Sequence, residues 1–311
     1  MATTDKFAQA PADVVVLNRP RPLPRALISA ARPKQWAKNV LVFAAPGAAS
    51  VLSHGSALRD STLAFIAFCL TAAGTYYLND VGDIEADRRH PIKSQRPIAA
   101  GELPVGLAIV LGILLIVAGM GLALVVRWQL LAVVGVYVAL TGAYTVGLKH
   151  VAVLDIALVA SGFIVRAVAG GVAVDVPISQ WFLIVTSFGS LFVVAGKRYG
   201  EYREMGDERA DTRSILASYT QPYLRYVWMI SSGVAMTAYC LWAFEQSEGK
   251  AGVPWFELSI VPFVLALLRY ALLLETGHGS APEDVILGDR ALQAISVLWV
   301  ALFACAIYVG K

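Results

Sequence analysis

Apolar side chains along the 311 residues gather into nine runs separated by polar connections. The runs lie at about 38–53, 61–78, 104–126, 129–147, 151–172, 178–195, 221–244, 254–273 and 290–309. An α-helix crosses the core of a bilayer in about 20 residues, and several runs are near the shortest workable length. The pattern predicts an all-α integral membrane protein of about nine transmembrane helices. The first run is short and carries Pro46 and Gly47, so a kinked or partly protein-buried span is expected there.

Composition agrees. Hydrophobic residues make up 58% of the chain and charged residues 15%, with a mean hydropathy of +0.65. Soluble domains sit near 45–50% and 25%, so a bilayer is the expected partner, and nothing in the pattern calls for nucleic acid. Residues 1–24 bear Pro and Arg but no apolar core, and read as a flexible cytoplasmic tail, not a signal peptide. Residues 25–311 are expected to form one transmembrane catalytic domain. Cys69, Cys240 and Cys305 each lie inside an apolar run, as packing residues do.

Charge sets the orientation. Twenty of the 25 Lys and Arg residues fall on the N-terminal segment and on alternate connections. Only Arg59, Arg127, Lys250 and Lys311 fall on the other side, and Arg166 lies within a run. The positive-inside rule then predicts a multi-pass protein of the plasma (inner) membrane, N-terminus in the cytoplasm and C-terminus outside. The long polar connections, and with them a polar cavity and the active site, face the cytoplasm.

The chemistry concentrates directly after the second run, in NDVGDIEADRRHPIKSQRP at Asn79–Pro97. On a helix, Asn79, Asp83 and Asp87 recur every fourth residue and Asp80 precedes Asp83 by three, so all four are expected on one face. Such an oxygen-only stripe suits Mg²⁺, which completes its octahedron with water and phosphate oxygens. Arg88, Arg89, Lys93 and Arg96 follow at once. Carboxylates for a metal, then cations for phosphate, predict a diphosphate site. The alternative is a solvated acidic loop. His90 sits inside the motif, within reach of a ligand bound there.

Three further groups are candidates. Lys34 and Lys38, four apart at the mouth of the first run, would project from one helical face. Arg166, in SGFIVRAVAGG, must face a polar cavity or a partner because lipid cannot solvate it. Asp155 lies eleven residues before it, roughly 16 Å along a helix, so the two are not a direct pair; Asp155 either neutralises another base or binds substrate. The connection after the sixth run, GKRYGEYREMGDERADTRS, carries Lys197, Arg198, Tyr199 and Glu201, then Asp207 and Asp211. A salt-bridged surface helix would look similar.

With these residues in view the chain resembles the UbiA superfamily of intramembrane prenyltransferases. The resemblance covers about residues 25–310 and rests on NDVGDIEADRRHPIKSQRPIAAGELP, on YTVGLKH after the fourth run and on the polar cluster after the sixth. It implies a UbiA-like bundle. The family's second Asp-rich motif is replaced here by KRYGEYRE, with DERAD as a partial stand-in, which sets the chain apart from ordinary prenyl-diphosphate chemistry. It looks most like the branch that moves 5-phosphoribose from phosphoribosyl diphosphate to a polyprenyl phosphate, a precursor step for cell-wall arabinan. That likeness implies Mg²⁺ on Asn79 and Asp83 with Asp80 and Asp87 near it. It also implies Lys34, Tyr76, Lys93, Lys149, Arg166, Lys197 and Arg198 at phosphate sites. Such a reaction assembles roughly five to six negative charges, so several cations are needed beside the metal. The isoprenoid tail would lie in an apolar groove between spans. The rivals are a prenyltransferase with an aromatic acceptor and, further off, a transporter. A homo-oligomer is compatible with the sequence.

Overall fold

The computed structural model describes residues 21–90, 92–204, 214–248, 252–277 and 282–309. Among these residues every element is helical. A short helix α1 (Leu23–Ala31) is followed by a 3-10 segment (Pro33–Phe43) and a five-residue helix α2 (Ala44–Ala48). Then come α3 (Gly55–Gly82), α4 (Ile84–Arg89), α5 (Val105–Val126), α6 (Trp128–Val146) and α7 (Leu154–Ala173). The rest comprises α8 (Gln180–Glu204), α9 (Gln221–Ser247), α10 (Trp255–Glu275), α11 (Pro282–Gly288) and α12 (Arg290–Tyr308).

Eight helices among the described residues are long and apolar enough to cross a membrane: α3, α5 to α10 and α12. The chain is a multi-span membrane protein. The first expected span takes another form. At about 2.0 Å per residue, the eleven-residue 3-10 segment and the turn of α2 together extend roughly 30 Å, so fewer residues cover a bilayer's depth. This geometry also undoes the expected pairing of Lys34 with Lys38. At three residues per turn, positions four apart diverge by about 120°. Lys34 is exposed, whereas Lys38 is half-buried, 6.0 Å from the Phe163 ring, with its Nζ donating to Gln35 Oε1 at 2.5 Å.

Apolar surface gains nothing by leaving lipid for protein, so helices here are held by close backbone approach and by polar contacts. A Cβ on Gly74 of α3 would stand 2.5 Å from the Gly112 carbonyl oxygen of α5. One on Gly119 would stand 2.7 Å from the Ala67 carbonyl oxygen. A third close approach, Gly170 of α7 on Val42, presses the 3-10 segment against the bundle. Helix α7 is shared between two buried clusters: Ile156 and Ala160 pack with Phe192, Tyr199 and Trp228, and Ala169 and Ala173 with Phe68, Val134 and Tyr137.

The connections sort to two ends, as consecutive crossings require. Lys149 meets Asp83, Arg198 meets Asp155 and Arg203 meets the Leu274 carbonyl at one end. At the other, Arg127 meets Asp175 at 2.6 Å and Trp181 meets Glu245. The Arg127 guanidinium beside it holds the exposed Asp175 carboxyl below its ordinary range.

Candidate functional site

Helix α3 runs four residues beyond the apolar run that predicts it, so Asn79 stays on its last turn and Asp83 caps it, the Asp83 N–H donating to the Asn79 carbonyl at 2.9 Å. One turn apart, the two side chains touch: Asn79 Nδ2 donates to Asp83 Oδ2 at 3.2 Å. The end of α6 completes the group. Thr145 Oγ1 donates to Asn79 Oδ1 at 3.1 Å, and the 3-10 turn after α6, Leu148–His150, puts Lys149 Nζ 2.5 Å from Asp83 Oδ1. Both site side chains are half-buried, so they are ordered yet reachable.

Asp80 and Asp87 do not share that face. Both are buried, and Arg96 joins them, 3.2 Å from Asp80 Oδ1 and 2.6 Å from Asp87 Oδ2. Arg32, whose guanidinium lies 4.9 Å from the centre of the Tyr76 ring, is a second partner of Asp80. Two causes divide the motif. Asp83 leaves helical geometry at φ −97°, ψ 7°, so α4 starts on a new course and the four-residue recurrence stops there. A buried carboxylate also requires a cation, and Arg32 and Arg96 supply it. The motif is therefore two pairs: Asn79 with Asp83 beside Lys149, and Asp80 with Asp87 around Arg96.

In the turn after α4, His90 Nδ1 accepts from the backbone N–H groups of Ile92 at 3.2 Å and Lys93 at 3.3 Å. Burial, and the nearby Lys93, hold its imidazole below the ordinary histidine range, which keeps that nitrogen free to accept at neutral pH. Lys93 itself is half-buried.

The polar cluster after the sixth run belongs to α8, which extends to Glu204, supported by pairing of Lys197 with Glu201 at 3.9 Å and of Arg198 with Glu201 at 2.8 Å. Arg198 is buried and also 2.9 Å from Asp155. Asp155 thus neutralises a base on α8. Tyr219 donates to the same carboxylate and accepts from the Val153 N–H at 2.7 Å. Burial and the Asp155 contact push the Tyr219 phenol well above its usual range. These bonds hold Val153, a β-branched residue, at φ 72°. Tyr199 is buried, and its hydroxyl donates to Glu275 at 2.8 Å and accepts from Arg225 at 3.0 Å, tying α8 to α9 and α10. Asp207 and Asp211 lie outside the described residues.

Arg166 is buried inside the bundle. Its Nε donates to Asn39 Oδ1 at 2.6 Å, one terminal nitrogen to the Gly162 carbonyl at 2.6 Å and the other to Tyr137 Oη at 3.0 Å. Arg166 and Asp155 lie on the same helix, α7, and have different partners. An apolar groove of about 450 Å³ opens between α8 and α9, lined by Trp181, Ile184, Ile230, Val234 and Leu241, towards the far end from Asp83.

Sequence reasoning missed Arg32, Asn39, Tyr137, Thr145 and Tyr219. Thr145 stands inside YTVGLKH and Asn39 directly follows Lys38, where a polar residue beside a span end was the available signal. Among the described residues no three His, Cys, Asp or Glu side chains gather to hold a metal. The donors at Asn79 and Asp83 are hard oxygens, and Lys149 already places a positive charge against that carboxylate. Two protein oxygens with the remainder from water and phosphate is the donor set that Mg²⁺ favours, so these residues fit such an ion.

Residues 40–292 match the UbiA prenyltransferase family. The chain is 46% identical over 295 residues to decaprenyl-phosphate phosphoribosyltransferase of Corynebacterium glutamicum, covering 93% of this chain and 89% of that one. It is 44% identical over 304 residues to the Mycolicibacterium smegmatis protein of that name, covering 93% and 94%. Among solved structures, a UbiA homolog from Archaeoglobus fulgidus bound to GPP and Mg²⁺ superposes with a TM-score of 0.71 at 14% identity, covering 91% of this chain and 99% of that one.

Proposed function

The chain belongs to the UbiA prenyltransferase family, and from that premise we propose that it transfers 5-phosphoribose from phosphoribosyl diphosphate to a polyprenyl phosphate, with Mg²⁺ and release of diphosphate. The observation that carries this reading is the Asn79–Asp83–Lys149 group, set in a chain that aligns over nearly its whole length with two decaprenyl-phosphate phosphoribosyltransferases. The product would be a precursor of an arabinosyl donor.

Asn79 and Asp83 would hold Mg²⁺ through their side-chain oxygens, and the bound ion would neutralise the diphosphate as it leaves. Lys149 exchanges its contact with Asp83 for a phosphate oxygen of the donor, which places a cation at the same group. Thr145 holds the Asn79 amide through its oxygen, which leaves the amide nitrogen on Asp83; a half-turn of the amide would bring the oxygen to an ion at Asp83. The Asp80–Arg96–Asp87 cluster holds the break between α3 and α4, and Asp155 with Glu201 keeps Arg198 charged beneath the connection that carries Lys149. The acceptor phosphate is ionised at neutral pH, so its oxygen attacks the sugar C1 from the face opposite the leaving group without a strong general base. The basic end of the bundle faces the cytoplasm of a plasma membrane, as the positive-inside distribution supports.

The test is to offer purified protein in detergent, with Mg²⁺, either labelled phosphoribosyl diphosphate and a polyprenyl phosphate or labelled prenyl diphosphate and an aromatic acceptor. Label should enter lipid only in the first case. Prenylation of the aromatic ring without any phosphoribosyl-lipid would overturn the reading.

A further inference from the structure

Val153, four residues after Lys149, holds a backbone conformation that its side chain disfavours. It stands at φ 72°, ψ −47°, the rare γ-turn geometry in which a β-branched residue crowds its own backbone. Val153 is 52% exposed, so burial does little to offset that strain. Hydrogen bonds hold it instead. Its N–H donates to Tyr219 Oη at 2.7 Å, and its carbonyl accepts from the Ala157 N–H at 2.9 Å. Strain of this kind persists only where the surroundings over-determine it.

Tyr219 is itself fixed from several sides. It is buried, and its ring stacks on Tyr223 at 5.8 Å between centres and 9° between planes. Its hydroxyl donates to Asp155, which Arg198 holds at 2.9 Å. The next residue, Thr220, caps α9 by accepting the Tyr223 N–H at 3.3 Å. On the other side, Val153 is tied to Lys149 through the backbone. The Val151 N–H donates to the Leu148 carbonyl at 3.2 Å, and the Asp155 N–H to the Val151 carbonyl at 3.1 Å. The turn Leu148–His150 and the start of α7 therefore move together, and the 3-10 turn Ser214–Ser218 lies against the first of them.

We propose that Tyr219 is a positioning residue for Lys149. Its hydroxyl keeps Val153 in the strained turn, and that turn aims the Lys149 ammonium at Asp83. Without the hydroxyl, Val153 relaxes to negative φ, and the altered dihedral at the start of α7 swings the Leu148–His150 turn away from Asp83. A tyrosine that only tied α9 to α7 would leave Lys149 where it is. The inference rests on the proposed reaction for what Lys149 does with the donor; the coupling of Tyr219 to Lys149 is a property of the fold.

The experiment acetylates full-length protein in detergent and EDTA, without substrate, using a water-soluble active ester. Peptide mass spectrometry follows Lys149 against the exposed Lys34. Tyr219→Phe keeps the stacked ring, loses the hydroxyl and should raise Lys149 acetylation by about threefold or more, the scale set by release of a partly exposed ion pair. Adding Val153→Gly should return acetylation to within about twofold of wild type, because glycine adopts φ 72° without help. In the transfer assay Tyr219→Phe should raise the KM for the donor by about three- to tenfold with kcat changed by less than about twofold, and the added Val153→Gly should reverse the rise. Acetylation that responds as stated while the KM does not would support the coupling and count against the proposed reaction. Unchanged Lys149 acetylation in Tyr219→Phe, or a rise that Val153→Gly does not reverse, would overturn the proposal. Should Tyr219→Phe fail to accumulate, Val153→Gly alone decides: relief of strain raises the unfolding midpoint, and a lowered midpoint overturns the proposal.

Discussion

Lys149 Nζ stands 2.5 Å from Asp83 Oδ1, joining the end of α6 to the end of α3 across 66 positions of sequence. The contact places a movable cation against the same carboxylate that is proposed to hold a metal. On that proposal lysine and metal would compete for one oxygen, and donor binding would resolve the competition by giving the ammonium a phosphate.

Removing the Asp83 carboxylate would remove the proposed metal anchor. Asp83→Ala should lower transfer by roughly 10²–10³-fold, the equivalent of several kcal/mol at about 1.4 kcal/mol per tenfold. Because Asp83 is half-buried at a helix end, the unfolding midpoint should change little. Rates at saturating Mg²⁺ check this, and a variant retaining most of the activity would count against the assignment.

Replacing the competitor has two opposite effects. Lys149→Gln should raise the KM for the donor by roughly ten- to a hundredfold, the loss of a charge-assisted contact of about 1.5–3 kcal/mol. The Mg²⁺ concentration for half-maximal rate should fall, since Asp83 no longer has a resident cation. Parallel titrations of donor and Mg²⁺ measure both; a rise in both constants would show that Lys149 does not compete.

Asp87 and Arg96 should behave as one unit. Their 2.6 Å contact is nearly buried on the carboxylate side, and loss of Arg96 would leave Asp87 a buried carboxylate without its ion-pair partner, whereas Arg96 without Asp87 keeps Asp80. In a double-mutant cycle of Asp87→Asn and Arg96→Gln, read by unfolding free energy, the coupling should be about 1–3 kcal/mol. Additive single effects would place Asp87 elsewhere during folding and catalysis.

The Gly170 contact allows no side chain. Gly170→Ala forces α7 away from Val42 and should destabilise by about 1–3 kcal/mol or more, whereas Gly189→Ala, with open space around its Cβ position, should be neutral or stabilising by up to about 1 kcal/mol. Unfolding midpoints of the two variants in one detergent decide it.

Local signals made part of this legible. A run of apolar residues suffices to locate a span, and a carboxamide one turn before a carboxylate suffices to bring Asn79 and Asp83 together. The remainder depends on distant residues. That Arg32 draws Asp80 out of the metal stripe involves a partner 48 positions away, and Asn39 meets Arg166 across 127. No periodicity announces the 3-10 geometry of 33–43, which separates Lys34 from Lys38. The extension of α8 to Glu204 was obscured because charged residues at a membrane boundary read equally as loop or as salt-bridged helix.

The most direct measurement is mass spectrometry of the lipid formed from phosphoribosyl diphosphate and a C50 polyprenyl phosphate by wild-type protein, with Mg²⁺ and with EDTA. A lipid heavier by one phosphoribosyl group, present with Mg²⁺ and absent with EDTA, is the predicted result. Unchanged polyprenyl phosphate under both conditions, from protein that is folded and binds both substrates, would contradict it.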